Sequence, residues 1–161
     1  YIDPDDWVYV AWRNHYHALL HGFDREKLME DIIEGRSMAT SSNVNKFYSS
    51  AIVGGIIPIA MGTAMAIKRK AENKRVWCFI GDMTSETGIA HECIKYSRNF
   101  DLPIHFVVED NEKSVCHVVA AAPIEPPFSR NRPRKSGSCC DAENSRNNCG
   151  ASLIFQPIFD R

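Results

Sequence analysis

The clearest pattern of apolar and polar positions lies in residues 76–111. Val76, Trp77, Cys78, Phe79 and Ile80 form an unbroken apolar run, as expected of a strand covered on both faces in a parallel sheet. Gly81 and Asp82 break it. Over residues 84–99, Ile89, Cys93, Ile94 and Tyr96 recur at near-helical spacing, which predicts a helix with one buried stripe. Residues 102–108 form a second apolar run, interrupted only by Pro103 and His105, and end in Glu109-Asp110-Asn111. Strand, helix and strand at this spacing predict a right-handed crossover in an α/β sheet, where ligands sit just past the carboxyl ends of the strands. Asp82 and Asn111 are therefore expected to converge on one ligand.

Upstream, Asp3-Pro4-Asp5-Asp6 reads as a helix start, with proline and acids in the first turn. The predicted helix continues through Trp7, Val10, Ala11, His15, Ala18 and Leu19 to a C-cap at Gly22. Asp24 reads as the N-cap of a second helix, with Leu28, Met29, Ile32 and Ile33 on one face and Gly35 at its close. Residues 37–46 are polar and unpatterned, hence a loop. Residues 47–55 mix serines with Ala51-Ile52-Val53 and lead through Gly54-Gly55 and Pro58 into a helix rich in small residues. Its alanines suit close approach to another backbone. Residues 68–74 are a solvated, charged exit.

After Cys116 the pattern is lost. Five of the eight prolines fall in residues 123–157, Arg130, Arg132, Arg134 and Lys135 cluster, and only Leu153-Ile154-Phe155 restores an apolar run. The expected organisation is one partial domain over residues 1–116 and an irregular or disordered tail over 117–161.

At 161 residues the chain can bury a real core, and a formal charge of −1 with 44% hydrophobic residues argues against a nucleic-acid or membrane partner. The apolar segment 51–67 is interrupted by three glycines, a proline and a threonine, which favours a buried helix over a membrane span. No signal or transit peptide is visible, and an opening on Tyr1 in mid-element predicts a fragment or processed product. Cys78, Cys93 and Cys116 lie in or near apolar stretches, while Cys139, Cys140 and Cys149 lack paired zinc-site spacing; a reducing compartment is expected.

Chemistry concentrates on the two strand ends. Asp82 can cap the following helix and Asn111 can close a turn, but both are also hard oxygen ligands. With the outward amides of the Met83–Ser85 turn, they suit a divalent cation clamped against a diphosphate, and magnesium fits best. His15, His17 and His21 are expected to be core or solvated helix residues rather than catalysts.

Gly81-Asp82 followed at a distance by Asp110-Asn111 resembles the thiamine-diphosphate motif, usually GDG and then NN. Trp12-Arg13-Asn14-His15-Tyr16-His17-Ala18-Leu19 is similar to the YRxHxHAL segment of alpha subunits of 2-oxo acid dehydrogenase E1 components. Phe47-Tyr48-Ser49-Ser50-Ala51-Ile52-Val53-Gly54 with Pro58 is similar to that family's FYGGxGIVGxxxP segment. The three matches keep the family's order and spacing.

The resemblance implies a thiamin-diphosphate-binding fold, a parallel sheet flanked by helices, truncated on its C-terminal side. It implies thiamine diphosphate and Mg2+ as cofactors. Asp82, Asn111 and the backbone carbonyl of Lys113 would ligate the metal. Arg13, with Trp12 in place of the family tyrosine, would meet the diphosphate, as would the amides of Met83 and Thr84 beside Gly81. Main-chain groups of Ala51 and Val53 would hold the aminopyrimidine. It further implies decarboxylation of a 2-oxo acid with acyl transfer to a lipoyl-bearing E2, in a heterotetramer of two alpha and two beta subunits. The activating glutamate would come from the beta subunit, so no catalytic residue is expected in this chain. The compartment would be the cytoplasm, or the mitochondrial matrix in a eukaryote.

This sequence departs from the family at three points. Met83 replaces the glycine of GDG, Asp110 replaces the first asparagine, and nothing after Cys116 follows the family pattern. The rival reading is a non-catalytic thiamine-fold module that only binds or interacts. A reading-frame change after Cys116 would also account for the lost pattern. A nucleotide-binding α/β protein is disfavoured because neither GxGxxG nor a P-loop is present.

Overall fold

Trp7-Val8-Tyr9-Val10 is β-branched and aromatic, and it forms a strand, not the helix expected from the acids before it. The structure, a computed structural model, describes residues 1–11, 14–111, 113–114, 117–118 and 152–157. In β1 (Trp7–Ala11), Val8 and Val10 point to one face of the sheet and Tyr9 to the other, and all three are buried. The preceding acids form a turn closed by Asp6 N–H donating to Asp3 O at 3.0 Å. Asp6 is buried there and accepts from Arg75 N at 2.8 Å, Trp77 Nε1 at 3.0 Å and Asp3 N at 3.2 Å. The acid run thus anchors the amino end of the sheet instead of facing a helix dipole. The expected first helix shrinks to α1 (His15–Leu20), with Gly22 just beyond it at φ +89°.

α2 (Arg25–Ile33) begins as expected, with Asp24 Oδ1 accepting from Lys27 N at 2.8 Å. Of the four apolar residues expected on one face, only Leu28 is buried, while Met29, Ile32 and Ile33 are exposed. β2 (Ser41–Ser42) and β3 (Phe47–Ser50) follow, then α3 (Ile56–Arg69), whose Ala60 and Ala64 lie fully buried against the sheet. β4 (Val76–Gly81) and β5 (Ile104–Asp110) are the two strands expected from the apolar runs.

The single helix expected between them is two: α4 (Asp82–Ser85) and α5 (Gly88–Asn99). Thr87 makes the break. Its backbone is extended at φ −73° and ψ 147°, and its hydroxyl donates to Thr84 O at 2.7 Å and accepts from Ala90 N at 3.4 Å. Asp82 is therefore the first residue of α4, and Thr87 is the cap of the long helix. A short antiparallel pair, β6 (Lys113–Ser114) and β7 (His117–Val118), follows β5. β8 (Ser152–Pro157) places the Leu153-Ile154-Phe155 run as a parallel strand alongside β5, within the stretch expected to be irregular.

The main sheet has the order β2-β3-β1-β4-β5-β8, parallel throughout except for β2 on the edge. α3 and α5 cover one face, packing Ile56, Ile57, Ala60, Ala90, Cys93 and Ile94 on Cys78, Ile80, Phe106 and Val108. Ala18 of α1 and Leu28 of α2 cover the other, against Val8, Val10, Trp77 and Phe79. Two covered faces explain the unbroken apolar runs of β4 and β5. Among the described residues no helix is long and apolar enough to cross a membrane.

Candidate functional site

The chain leaves β1 in one direction to reach β3 and then returns across β1 to build β4, β5 and β8 on the other side. The order of strands therefore reverses between β1 and β4. In an open doubly wound sheet, that reversal opens a crevice beyond the carboxyl ends of the two strands. The carboxyl ends of the parallel strands β1, β3, β4 and β5 are Ala11, Ser50, Gly81 and Asp110, and they share one edge. Each expected site segment follows one of these ends.

After β4, Asp82 is only 5% exposed although it carries a carboxylate. Its Oδ1 accepts from Met83 N at 2.8 Å, which fixes the side chain's orientation. Its Oδ2 is buried and has no hydrogen-bond partner among the described residues. A buried carboxylate oxygen without a donor is costly, and a cation relieves that cost. The Ser85 hydroxyl donates to Asp82 O at 2.6 Å and tightens the turn beneath it. Met83 is exposed and Thr84 half-buried.

After β5, Asn111 is exposed and directly follows Asp110, and Gly81 stands in register with Glu109. α4 lies against β4, β5 and β6, so the backbone at Asp82 is brought beside the strand that Lys113 opens. The structure thus gathers Gly81, Asp82, Met83, Thr84, Asn111 and Lys113 at one end of two adjacent strands.

After β3, Ala51 and Val53 lie exposed in the turn leading to α3. Gly54 joins this turn to the β4 side. It has φ +73°, and a Cβ there would stand 2.9 Å from Ile89 Cγ2 and 3.8 Å from Thr87 Oγ1. Only glycine permits both the backbone angle and the approach. Trp12 and Arg13, expected after β1, lie outside the described residues.

A further group at this edge escaped the sequence reading. Glu109 Oε1 lies 3.5 Å from His17 Nε2, and Glu109 Oε2 lies 3.5 Å from Asn14 Nδ2. The His17 ring packs against Phe79 at a tilt of 59°, with centroids 4.4 Å apart. Burial pushes the His17 pKa down, and the Glu109 carboxylate opposes that shift. The available signal was Glu109 directly preceding Asp110-Asn111, but its partners lie far away in sequence.

Residues 1–120 match the family model of the dehydrogenase E1 component. The pyruvate dehydrogenase E1 component subunit alpha of Rickettsia bellii is 29% identical over 126 residues, covering 72% of this chain and 39% of the relative. The Porphyra purpurea subunit of the same description is 30% identical over 131 residues, covering 71% and 38%. The chloroplastic alpha-3 subunit of Arabidopsis thaliana is 32% identical over 126 residues, covering 68% and 29%. The chain thus spans well under half the length of these relatives. A solved chain described as a thiamin diphosphate-dependent enzyme isolated from Mycobacterium smegmatis shares the fold, with a TM-score of 0.53 and 16% identity, over 97% of this chain and 29% of that one. Strand order, the composition of the sheet edge and the match over residues 1–120 agree: the chain belongs to the dehydrogenase E1 component family.

Proposed function

We propose that this chain supplies the metal-and-diphosphate half of a thiamine-diphosphate site in the alpha subunit of a 2-oxo acid dehydrogenase. The observation that carries this reading is Asp82 Oδ2, a buried carboxylate oxygen with no donor among the described residues, at the carboxyl end of β4 beside the strand reversal. Magnesium suits it, since that ion takes one or two carboxylate-type ligands and leaves its other positions to phosphate oxygens.

Asp82 Oδ2, the Asn111 side-chain oxygen and the Lys113 carbonyl would hold the metal. The Met83 amide already holds Asp82 Oδ1, so in this reading it orients the ligand, and Thr84 supplies a first-turn amide to the diphosphate. Arg13 adds the neutralising cation, and Trp12 stands beside it. The turn carrying Ala51 and Val53 offers main-chain groups to the aminopyrimidine. Thiamine diphosphate, when bound, supplies the electron sink for decarboxylating a 2-oxo acid. The residues of this chain bind and orient the cofactor; the proton-handling glutamate belongs to a beta subunit across the shared site, and a lipoyl-bearing E2 takes the acyl group. Cys78 and Cys93 are buried free thiols, in keeping with a reducing compartment such as the cytoplasm or the mitochondrial matrix.

Calorimetric titration of the full chain with thiamine diphosphate, with and without Mg2+, tests the site. Binding is expected to require the metal and to be abolished by Asp82→Ala. Equal, metal-independent binding by wild type and variant would overturn the assignment.

A further inference from the structure

Asn14 occupies the N-cap position of α1 but does not cap the helix: no backbone amide donates to its side chain. An N-cap bond from asparagine ordinarily stabilises a helix, so the side chain is held by something else. Asn14 Nδ2 instead points back to Ala11 O at 3.2 Å and across to Glu109 Oε2 at 3.5 Å. One turn along α1, His17 Nε2 approaches the other oxygen of the same carboxylate at 3.5 Å. In the neutral ring a carboxylate neighbour favours the hydrogen on Nε2 of His17, and Nδ1 is buried and without a partner among the described residues. The ring also packs against Phe79 of β4, tilted by 59° to it.

Both oxygens of Glu109 are thus engaged by α1 and its N-cap, which directly follow the Trp12-Arg13 segment. Glu109 itself lies two residues before Asn111 and in register with Gly81. The geometry points to Asn14, His17 and Glu109 as positioning residues, a clasp that ties the start of α1 to the end of β5, next to the proposed metal-binding turn. This rests on the proposed function, because α1 follows the segment proposed to bear the diphosphate contact and β5 precedes the proposed metal ligand.

The test uses the full chain with Glu109→Ala, Glu109→Gln and Asn14→Ala, read by Mg2+-dependent thiamine diphosphate affinity and by imidazole 15N NMR of His17. Glu109→Ala is expected to weaken binding about tenfold, within the range for residues that couple two parts of a site. Glu109→Gln is expected to restore most of the affinity. Its carbonyl still accepts from Asn14, and its amide donates to His17 Nε2 once the imidazole proton moves to Nδ1. That tautomer change is visible in the 15N spectrum, and loss of packing alone would not produce it. Asn14→Ala, which keeps the carboxylate and the histidine, is expected to fall between wild type and Glu109→Ala, and it serves as the readout if Glu109→Ala does not fold. Wild type and variants binding equally, with His17 unchanged in Glu109→Gln, would overturn the clasp and leave the proposed function standing. A wild type that binds no thiamine diphosphate with Mg2+ present would overturn the proposed function and the positioning role together, even if the His17 tautomer still followed Glu109.

Discussion

Gly54→Ala tests whether the turn after β3 is built by contact with α5. Two costs can be worked from the structure. A residue with a Cβ at φ +73° sits in the left-handed region, at about 1–2 kcal/mol. The new methyl would also stand 2.9 Å from Ile89 Cγ2, where ordinary contact begins near 3.4 Å. Cγ2 is at the branch of a helical isoleucine, whose χ1 is stiff, so the collision cannot be relieved by rotating a chain end. Overpacking of this kind costs about 1–3 kcal/mol, and the variant is expected to lose about 3 kcal/mol in all. Urea denaturation followed by far-ultraviolet circular dichroism measures the loss. Ile89→Ala removes Cγ2 and should cancel the steric part in the double variant, leaving the backbone part. The expected coupling between the two sites is therefore about 1–2 kcal/mol, favourable to the double variant. Additive costs, within about 0.5 kcal/mol, would refute the contact. A loss well under 1 kcal/mol in Gly54→Ala alone would refute the backbone argument as well. Since the same turn carries Ala51 and Val53, Gly54→Ala should also weaken thiamine diphosphate binding in calorimetry.

Other consequences can be checked on the same protein. Asp6→Ala strips the acceptor from Arg75 N, Trp77 Nε1 and Asp3 N and should cost about 2–4 kcal/mol in urea denaturation, with a shift in Trp77 fluorescence; a loss below about 1 kcal/mol would mean that water replaces the carboxylate. Stability should fall as pH drops through 6.5, the ordinary histidine value. Burial holds the pKa of both His17 and His105 below it, aided at His105 by the Arg75 charge. The unfolded chain then takes up protons that the folded chain refuses, so the neutral forms contribute stability above 6.5 and lose it below. Denaturation midpoints that stay flat between pH 7.5 and 5.5 would contradict this. Cys78, whose pKa burial pushes far up, should resist alkylation by iodoacetamide until the protein unfolds; prompt modification in the native state would count against its burial.

What was legible in the sequence follows from how local each determinant is. β4 and β5 showed as apolar runs because helices cover both of their faces, and a fully covered strand needs no polar alternation. β1 was misread because Asp3-Pro4-Asp5-Asp6 has the composition of a helix start. Its true role depends on Trp77 and Arg75, about seventy positions away, and no local window contains them. On α2 the shared face could be read from spacing, but not that Leu28 alone of its four apolar residues would be buried, since that depends on the sheet beneath it. The break at Thr87 was hidden because Thr87 looks like any polar helix residue until its hydroxyl meets Thr84 O. At the site, Asp82 and Asn111 could be placed from strand ends alone, since topology sends every such end to one edge. Glu109 could not be assigned its partners, because Asn14 and His17 meet it only where β1, β4 and β5 lie side by side in the sheet.

β8 changes what the far border of the sheet exposes to other molecules. Without it, β5 would be an outer strand with Ile104, Phe106, Val107 and Val108 buried to either side and a row of unpaired amides and carbonyls facing outward. Such a border recruits further strands and seeds aggregation. β8 runs in register with β5 from His105↔Ser152 to Asp110↔Pro157, so it occupies the hydrogen-bonding groups along that border. It then ends on Pro157, a residue that cannot donate to another strand. A stretch remote in sequence from the turn after β5 thereby shields the strand that leads into that turn from self-association.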